Sequence, residues 1–207
     1  MVMPRRNVMR LDAPESYYHV YARGNSKHRI FIDEQDFITF LQILERYLSP
    51  EEAKNVNGVS YPNFYNKVDL IAYCLMPNHF HLFFYQRHQH ELTSVMQSIM
   101  TSYSRYFNKK YKRTGPLFES RYRASMITDD AYLQHITRYI HLNPRHWRSY
   151  EFSSLPYYLQ QDTVSWLRPE RVLELFKSPA AYAEFVADYE ENKKLIEIFK
   201  KELANEW

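Results

Sequence analysis

The residue pattern predicts an α+β fold: a ferredoxin-like antiparallel sheet with helices on one face, plus an α-helical C-terminal accessory region. Three observations carry this. Apolar residues alternate at period two in four short segments and recur at helical spacing in three longer ones. These segments follow the order β, α, β, β, α, β, α, which is the split βαβ arrangement. Clusters of Gly, Asn and Pro stand at the joints.

Ser16 to Arg23 is the first strand, with Tyr17, His19 and Tyr21 alternating against Tyr18, Val20 and Ala22, and Gly24-Asn25-Ser26 turning the chain. Phe37, Phe40, Leu41, Ile43, Leu44 and Leu48 then recur at helical spacing behind a cap at Asp33 or Asp36, and Pro50 stops that helix. Residues 51–66 read as a loop. Val68 to Leu75 and His79 to Tyr85 form a hairpin across Met76-Pro77-Asn78. Glu91 to Lys112 is the longest helical pattern, with Leu92, Val95, Met96, Ile99, Met100, Tyr103 and Phe107 in one stripe, broken by Thr114-Gly115-Pro116. Tyr122 to Ile127 is the fourth strand. Asp129-Asp130 open a helix carrying Leu133, Ile136 and Ile140; it ends near Asn143, because Pro144 disfavours helical backbone in the residue before it. Beyond Tyr150 the text turns acidic and helical, over Pro169 to Phe176 and Ala180 to Leu203.

At 207 residues, one domain with an appendage fits better than two equal domains, giving a core domain over 1–150 and an extension over 151–207. The 45% apolar and 25% charged content excludes a disordered or fibrous chain. Cys74 is the single cysteine, which excludes a disulfide framework and a cysteine cage for zinc. The longest apolar run, Leu70 to Met76, is far shorter than a membrane span. Met1 to Glu15 holds Arg5, Arg6 and Arg10 in place of an apolar signal segment, so a cytoplasmic protein with no membrane partner is expected.

The net charge of +3 hides an asymmetry: residues 1–150 hold 20 Lys/Arg against 13 Asp/Glu, and residues 151–207 hold 7 against 11. Thr101 to Ser125 carries Arg105, Lys109, Lys110, Lys112, Arg113, Arg121 and Arg123 against Glu119 alone. Tyr103, Tyr106, Phe107, Tyr111, Phe118 and Tyr122 are interleaved with them. Cations for phosphates and rings for bases are the footprint of a single-stranded nucleic acid. The same run also reads as a solvated helix end.

The densest chemistry lies in Pro77-Asn78-His79-Phe80-His81-Leu82-Phe83-Phe84. Residues two apart on a strand point the same way, about 6.6 Å apart at a rise of ~3.3 Å per residue. Phe80, Leu82 and Phe84 take the core, which leaves His79 and His81 together on the opposite surface. Two neutral imidazoles so placed can chelate a divalent ion, or be plain strand histidines. With no cysteine cluster and no Glu-x-x-His helix, the metal chemistry that fits is two nitrogens completed by oxygen, holding Mg²⁺ or Mn²⁺ against a phosphate. In the last core helix Tyr139 and Asn143 lie four apart on one face, so an amide can reach an ion while the phenol one turn back reaches the same phosphate. From chemistry alone Tyr139 is one of nineteen tyrosines, and a half-buried aromatic at a helix edge is its plainer account.

Four motifs then stand in order: Tyr18-His19-Val20-Tyr21-Ala22-Arg23-Gly24-Asn25, Cys74-Leu75-Met76-Pro77-Asn78-His79-Phe80-His81-Leu82, Gly115-Pro116-Leu117-Phe118-Glu119-Ser120-Arg121-Tyr122 and Arg138-Tyr139-Ile140-His141-Leu142-Asn143-Pro144. Over residues 16–158 the chain resembles the REP-associated tyrosine transposases, relatives of the single-tyrosine HUH transposases of IS200-like type. The resemblance implies an endonuclease that cuts and rejoins single-stranded DNA through a 5′-phosphotyrosine. His79, His81 and Asn143 then match the ligands of a divalent ion, Mg²⁺ or Mn²⁺, and Tyr139 matches the nucleophile. It further implies a DNA partner carrying a hairpin, a REP-like palindrome, and a monomer or homodimer. Arg121, Arg123 and Arg138, with Lys109, Lys110, Lys112 and Arg113, are the candidate DNA contacts. His135 lies one turn before Tyr139, whereas His141 points away from it. Arg5, Arg6 and Arg10 could form an arm on the hairpin. Trp166, Phe176, Tyr182, Phe185 and Tyr189 are expected to pack the extension on the domain. Two alternatives stand: a catalytically inactive single-stranded nucleic-acid-binding module of the same fold, and a metal-dependent hydrolase that uses water and no tyrosine.

Overall fold

The computed structural model describes residues 12–128, 130–160 and 162–188. Arg5, Arg6, Arg10, Tyr189 and the expected helix beyond Asp188 lie outside the described residues. Four strands, β1 (Ser16–Arg23), β2 (Val68–Met76), β3 (His79–Gln86) and β4 (Arg123–Ile127), form one antiparallel sheet in the order β2-β3-β1-β4. Helix α1 (Glu34–Leu48) connects β1 to β2, and α2 (Glu91–Lys110) connects β3 to β4, which is the α+β arrangement expected. Asp33 starts α1 by accepting the Asp36 N–H while the Asp36 carboxylate accepts the Asp33 N–H, a reciprocal capping box. Helix α2 stops at Lys110, two residues early, because Lys112 turns to a φ of 50° and Gly115 to 85°, unwinding the chain toward β4.

One face of the sheet presents Tyr18, Val20, Tyr73, Leu75, Phe80, Leu82 and Phe84 and is covered by α1 and α2 through Phe40, Ile43, Leu44, Ile99, Tyr103 and Phe107. The expected one-sided helix layer holds for this pair but is not the whole arrangement. The second face, with Ile71, Ala72, Cys74, Phe83 and Tyr85, is covered by α3 (Asp130–His141) through Leu133, Ile136, Tyr139 and Ile140. Three short helices join it there: α4 (Leu155–Tyr158), α5 (Glu170–Leu173) and α6 (Pro179–Ala187). The reason lies in β2, whose Leu70 to Met76 lacks polar alternation, the mark of a strand buried on both sides. A bulge between Leu70 and Ala72 sends Leu70 into one core and Ile71 and Ala72 into the other.

The C-terminal segment also closes the free edge of β2. Leu75 N–H donates to Phe152 O, Ser154 N–H to Tyr73 O and Arg168 N–H to Leu70 O. Helix α3 is held from behind by His141, which is fully buried with Nδ1 2.7 Å from the Tyr182 hydroxyl and Nε2 2.8 Å from the Ser154 hydroxyl. Ser154 Oγ in turn accepts the Tyr73 N–H of β2. This clamp fixes the helix whose other side carries Tyr139.

His141→Phe keeps the ring volume but removes the hydrogen bonds to Tyr182 and Ser154, of which Ser154 Oγ still pairs with the Tyr73 backbone. The expected loss is about 1–3 kcal/mol in chemical denaturation at pH 7; a loss under about 0.5 kcal/mol would show that the clamp does not hold α3.

Candidate active site

The candidate site lies where β3 begins and α3 ends. The Pro77-Asn78 turn sets His79 at the first position of β3, and the two-residue period brings His81 to the same side, away from the α1–α2 core. The imidazoles do not lie on an open surface as expected. Helix α3 covers them, leaving His81 3% exposed and His79 half-buried.

Asn143, just past α3, sits one turn beyond Tyr139 and is the meeting point. Its Nδ2 lies 3.3 Å from His81 Nε2 and donates to it, and the amide is close enough to His79 and to the Tyr139 phenol to bear on the charge of both. The Tyr139 ring stands edge-on to His81 with centroids 5.4 Å apart, and the His79 and His81 rings are perpendicular at 5.0 Å. The four residues singled out in the sequence for ion and nucleophile thus come together. Each imidazole is anchored through Nδ1: His79 Nδ1 lies 2.7 Å from Asn78 Oδ1, and His81 Nδ1 lies 2.9 Å from His19 Nε2.

Burial controls the charges here. It pulls His79 down to about 4, with Arg23 adding to the effect, and pulls His81 well below the usual histidine value, with His79 and His19 adding. Burial brings His19 to about 3. All three imidazoles are neutral at pH 7, the state a ligand requires. Burial pushes the Tyr139 phenol up to about 12, and the Asn143 hydrogen bond opposes that shift. Among the described residues no three His, Cys, Asp or Glu side chains converge to cage a metal, and the polar side chain that meets His81 is the Asn143 amide. Two neutral nitrogens and one amide oxygen fit a six-coordinate ion such as Mg²⁺ or Mn²⁺ that keeps positions open.

The candidate DNA contacts separate into two groups. Arg123 lies on the site's side of the sheet, across Tyr21 from His81, with its guanidinium 6.0 Å from the Tyr21 ring centre. Arg121 is exposed just before β4, and Lys109, Lys112 and Arg113 are exposed at the end of α2, in the other helix layer. Two assignments need correction. Lys110 is locked between Asp33 at 2.6 Å and Asp36 at 2.8 Å, so its charge is neutralised within the fold. Arg138 is 1% exposed, donates to Phe185 O at 3.2 Å, meets His135 Nδ1 at 2.8 Å and stacks 4.1 Å over Phe185. One residue from Tyr139 is about 100° round a helix, which aims Arg138 at α6 and not at the site.

The interleaved aromatics are not a base-stacking platform either. Tyr103, Phe107, Phe118 and Tyr122 are buried in the α1–α2 core, and the Tyr106 and Tyr111 hydroxyls donate to Asp36. His135 turns to Phe185, and His141 points away from Tyr139 as expected. Reading the sequence for site residues missed His19 and Arg23. The alternation of β1 put both in phase with Tyr17 and Tyr21, but period two does not say which phase faces the site.

Comparison with known proteins gives four findings. The family model described as IS200-like transposase matches residues 13–143. A solved structure of a REP-associated tyrosine transposase bound to a REP hairpin is similar in fold, with a TM-score of 0.52 at 14% identity, covering 81% of this chain and 92% of that one. A putative transposase from Deinococcus radiodurans is more distant, with a TM-score of 0.39 at 16% identity, covering 65% of this chain and 93% of that one. No curated protein matches the sequence.

Four buried histidines, His19, His79, His81 and His141, have native pKa values below the unfolded value of 6.5. Below pH 6.5 the unfolded chain takes up protons that the native chain refuses, so stability falls with acidification down toward pH 4. The expected loss between pH 7 and 5 is about 2 kcal/mol for each histidine that stays neutral. Denaturant midpoints at pH 7, 6 and 5 measure it, and a flat series would contradict the burial of these rings.

Proposed function

The chain belongs to the IS200-like transposase family, and from that premise we propose that it is a metal-dependent single-stranded DNA transposase that cuts and rejoins hairpin-flanked DNA. The observation that carries the reading is the meeting of four side chains at the end of α3: Asn143 Nδ2 lies 3.3 Å from His81 Nε2, and the rings of Tyr139 and His79 stand 5.4 Å and 5.0 Å from that of His81. His79, His81 and Asn143 would hold a Mg²⁺ or Mn²⁺ ion, which when bound supplies Lewis-acid polarisation of the scissile phosphate.

The chain's own residues do the rest. Tyr139 Oη attacks phosphorus and gives up its proton. The bond from phosphorus to O3′ breaks, and the leaving oxygen takes a proton to become a free 3′-hydroxyl. A 5′-phosphotyrosine remains. A second 3′-hydroxyl attacking that link reverses the steps, joins new ends and returns the proton to Tyr139. No outside energy is needed, because the phosphotyrosine conserves the phosphodiester bond. A phenol with a pKa of about 12 is protonated at neutral pH, and the nearby Asn143 amide acts against the shift, toward the phenolate. In this reading Arg121 and Arg123 hold flanking phosphates, and the exposed Lys109, Lys112 and Arg113 at the end of α2 are further candidate contacts. The hairpin bound by the structural neighbour makes a hairpin-flanked strand the first substrate to try.

One observation favours a second reading. Tyr139 is only 6% exposed, so little of its side chain is open to a strand, as suits an inactive module that binds single strands without cutting.

Incubation with Mn²⁺ and labelled single-stranded hairpin DNA, followed by a denaturing gel, separates these. The expected result is a protein-linked band that disappears with EDTA and in Tyr139→Phe. Binding with no such band supports the inactive module, and cleavage that survives Tyr139→Phe supports a hydrolase using water. In a salt titration of DNA affinity, Arg121→Ala or Arg123→Ala is expected to lower the log–log slope by about one. Arg138→Ala is expected to leave the slope unchanged; a drop there would reinstate it as a phosphate contact.

A further inference from the structure

We propose that His19 is a positioning residue for His81: its Nε2 accepts the His81 Nδ1–H, and this fixes both the tautomer of His81 and the direction of its other nitrogen. The inference rests on the ion-binding reading above and names the residue that prepares one of its ligands.

A chain of hydrogen bonds runs inward from the site. The Asn143 amide nitrogen is a donor and lies 3.3 Å from His81 Nε2, so that nitrogen acts as acceptor and carries no proton. A neutral imidazole has one N–H, which then sits on Nδ1. Nδ1 faces His19 Nε2 at 2.9 Å, so His81 donates and His19 accepts. His19 must then carry its own proton on Nδ1, and that atom is buried with no hydrogen-bond partner. An unpaired buried N–H is unfavourable and rare. A histidine that only packs need not bear it, whereas one that accepts from its neighbour must.

The surroundings support a positioning role. His19 lies on β1 diagonally across the ladder from His81, and the rings are nearly parallel, 11° apart with centroids 5.1 Å apart. The His19 ring also meets Tyr139 edge-on at 5.9 Å, so one fully buried side chain braces both an ion ligand and the nucleophile. It has no route to the ion or the phosphate of its own, since its Nε2 is occupied by His81. Ligating histidines commonly donate their second ring N–H to such a partner, and loss of the partner weakens metal binding 10–100-fold.

Two measurements on the full-length protein without DNA test this. The first is ¹⁵N NMR of histidine-labelled, metal-free wild type. The expected signature is an Nδ1–H tautomer for His81 with a through-hydrogen-bond ¹⁵N–¹⁵N coupling to His19 Nε2. An Nε2–H tautomer at His81 would overturn the proposal. The second is Mn²⁺ affinity by titration calorimetry. His19→Phe keeps the ring and lacks the acceptor, and is expected to bind Mn²⁺ about 10–100-fold more weakly. His19→Gln, whose amide oxygen can take the place of Nε2, is expected to recover most of that loss. Equal affinity of wild type and His19→Phe would reduce His19 to core packing. Should the wild type itself take up no Mn²⁺, the ion reading falls, and the NMR tautomer decides the role of His19 separately.

Discussion

The placement of α3 on the second face of the sheet is the constraint from which the site follows. A sheet of this connectivity needs only α1 and α2 to bury one face. The other face of β2 and β3 is just as apolar through Ile71, Ala72, Cys74, Phe83 and Tyr85, and it must be covered too. Helix α3 does this with Leu133, Ile136, Tyr139 and Ile140, and His141 ties its back to Ser154 and Tyr182. Once α3 is fixed there, its last turn has to end over the first residues of β3. Tyr139 and Asn143 meet His79 and His81 for that reason, and the C-terminal helices serve the site by holding α3 in place.

Burial makes the site chemically odd, with consequences of both signs. It keeps the imidazoles of His19, His79 and His81 neutral across the physiological range, and it raises the Tyr139 phenol. The Asn143 amide lies at the centre of that conflict, hydrogen-bonded to His81 and near both His79 and the phenol. The partly exposed side of the site, at Asn78, His79 and Asn143, is the side from which a strand can approach. Arg123 flanks the same face two strands away.

Much of the fold was legible because it is written in periodicity. Strand β1 was read to the residue, and the hairpin carrying His79 and His81 came from an alternation interrupted by Pro77-Asn78. The second core was not read. Its signal, the unbroken apolar text of β2, was noticed for its length alone, and the short α4 and α5 have too few residues to show a helical period. Site residues on a named motif were legible by spacing, since His79 with His81 and Tyr139 with Asn143 each share a face by local geometry. Arg138 and Lys110 were misjudged for one reason: charge in a sequence does not show whether a carboxylate, a carbonyl or a ring waits beside it. His19 escaped notice because its partner is 62 residues away, and no local period links them.

The account stands on one point in space shared by His79, His81, Asn143 and Tyr139. Crystals grown with Mn²⁺ and measured at the manganese absorption edge locate that point directly. A single anomalous peak bounded by the two imidazoles and the amide, with the Tyr139 hydroxyl facing it, is the result the account requires. A peak elsewhere on the molecule, or none at saturating Mn²⁺, would contradict it.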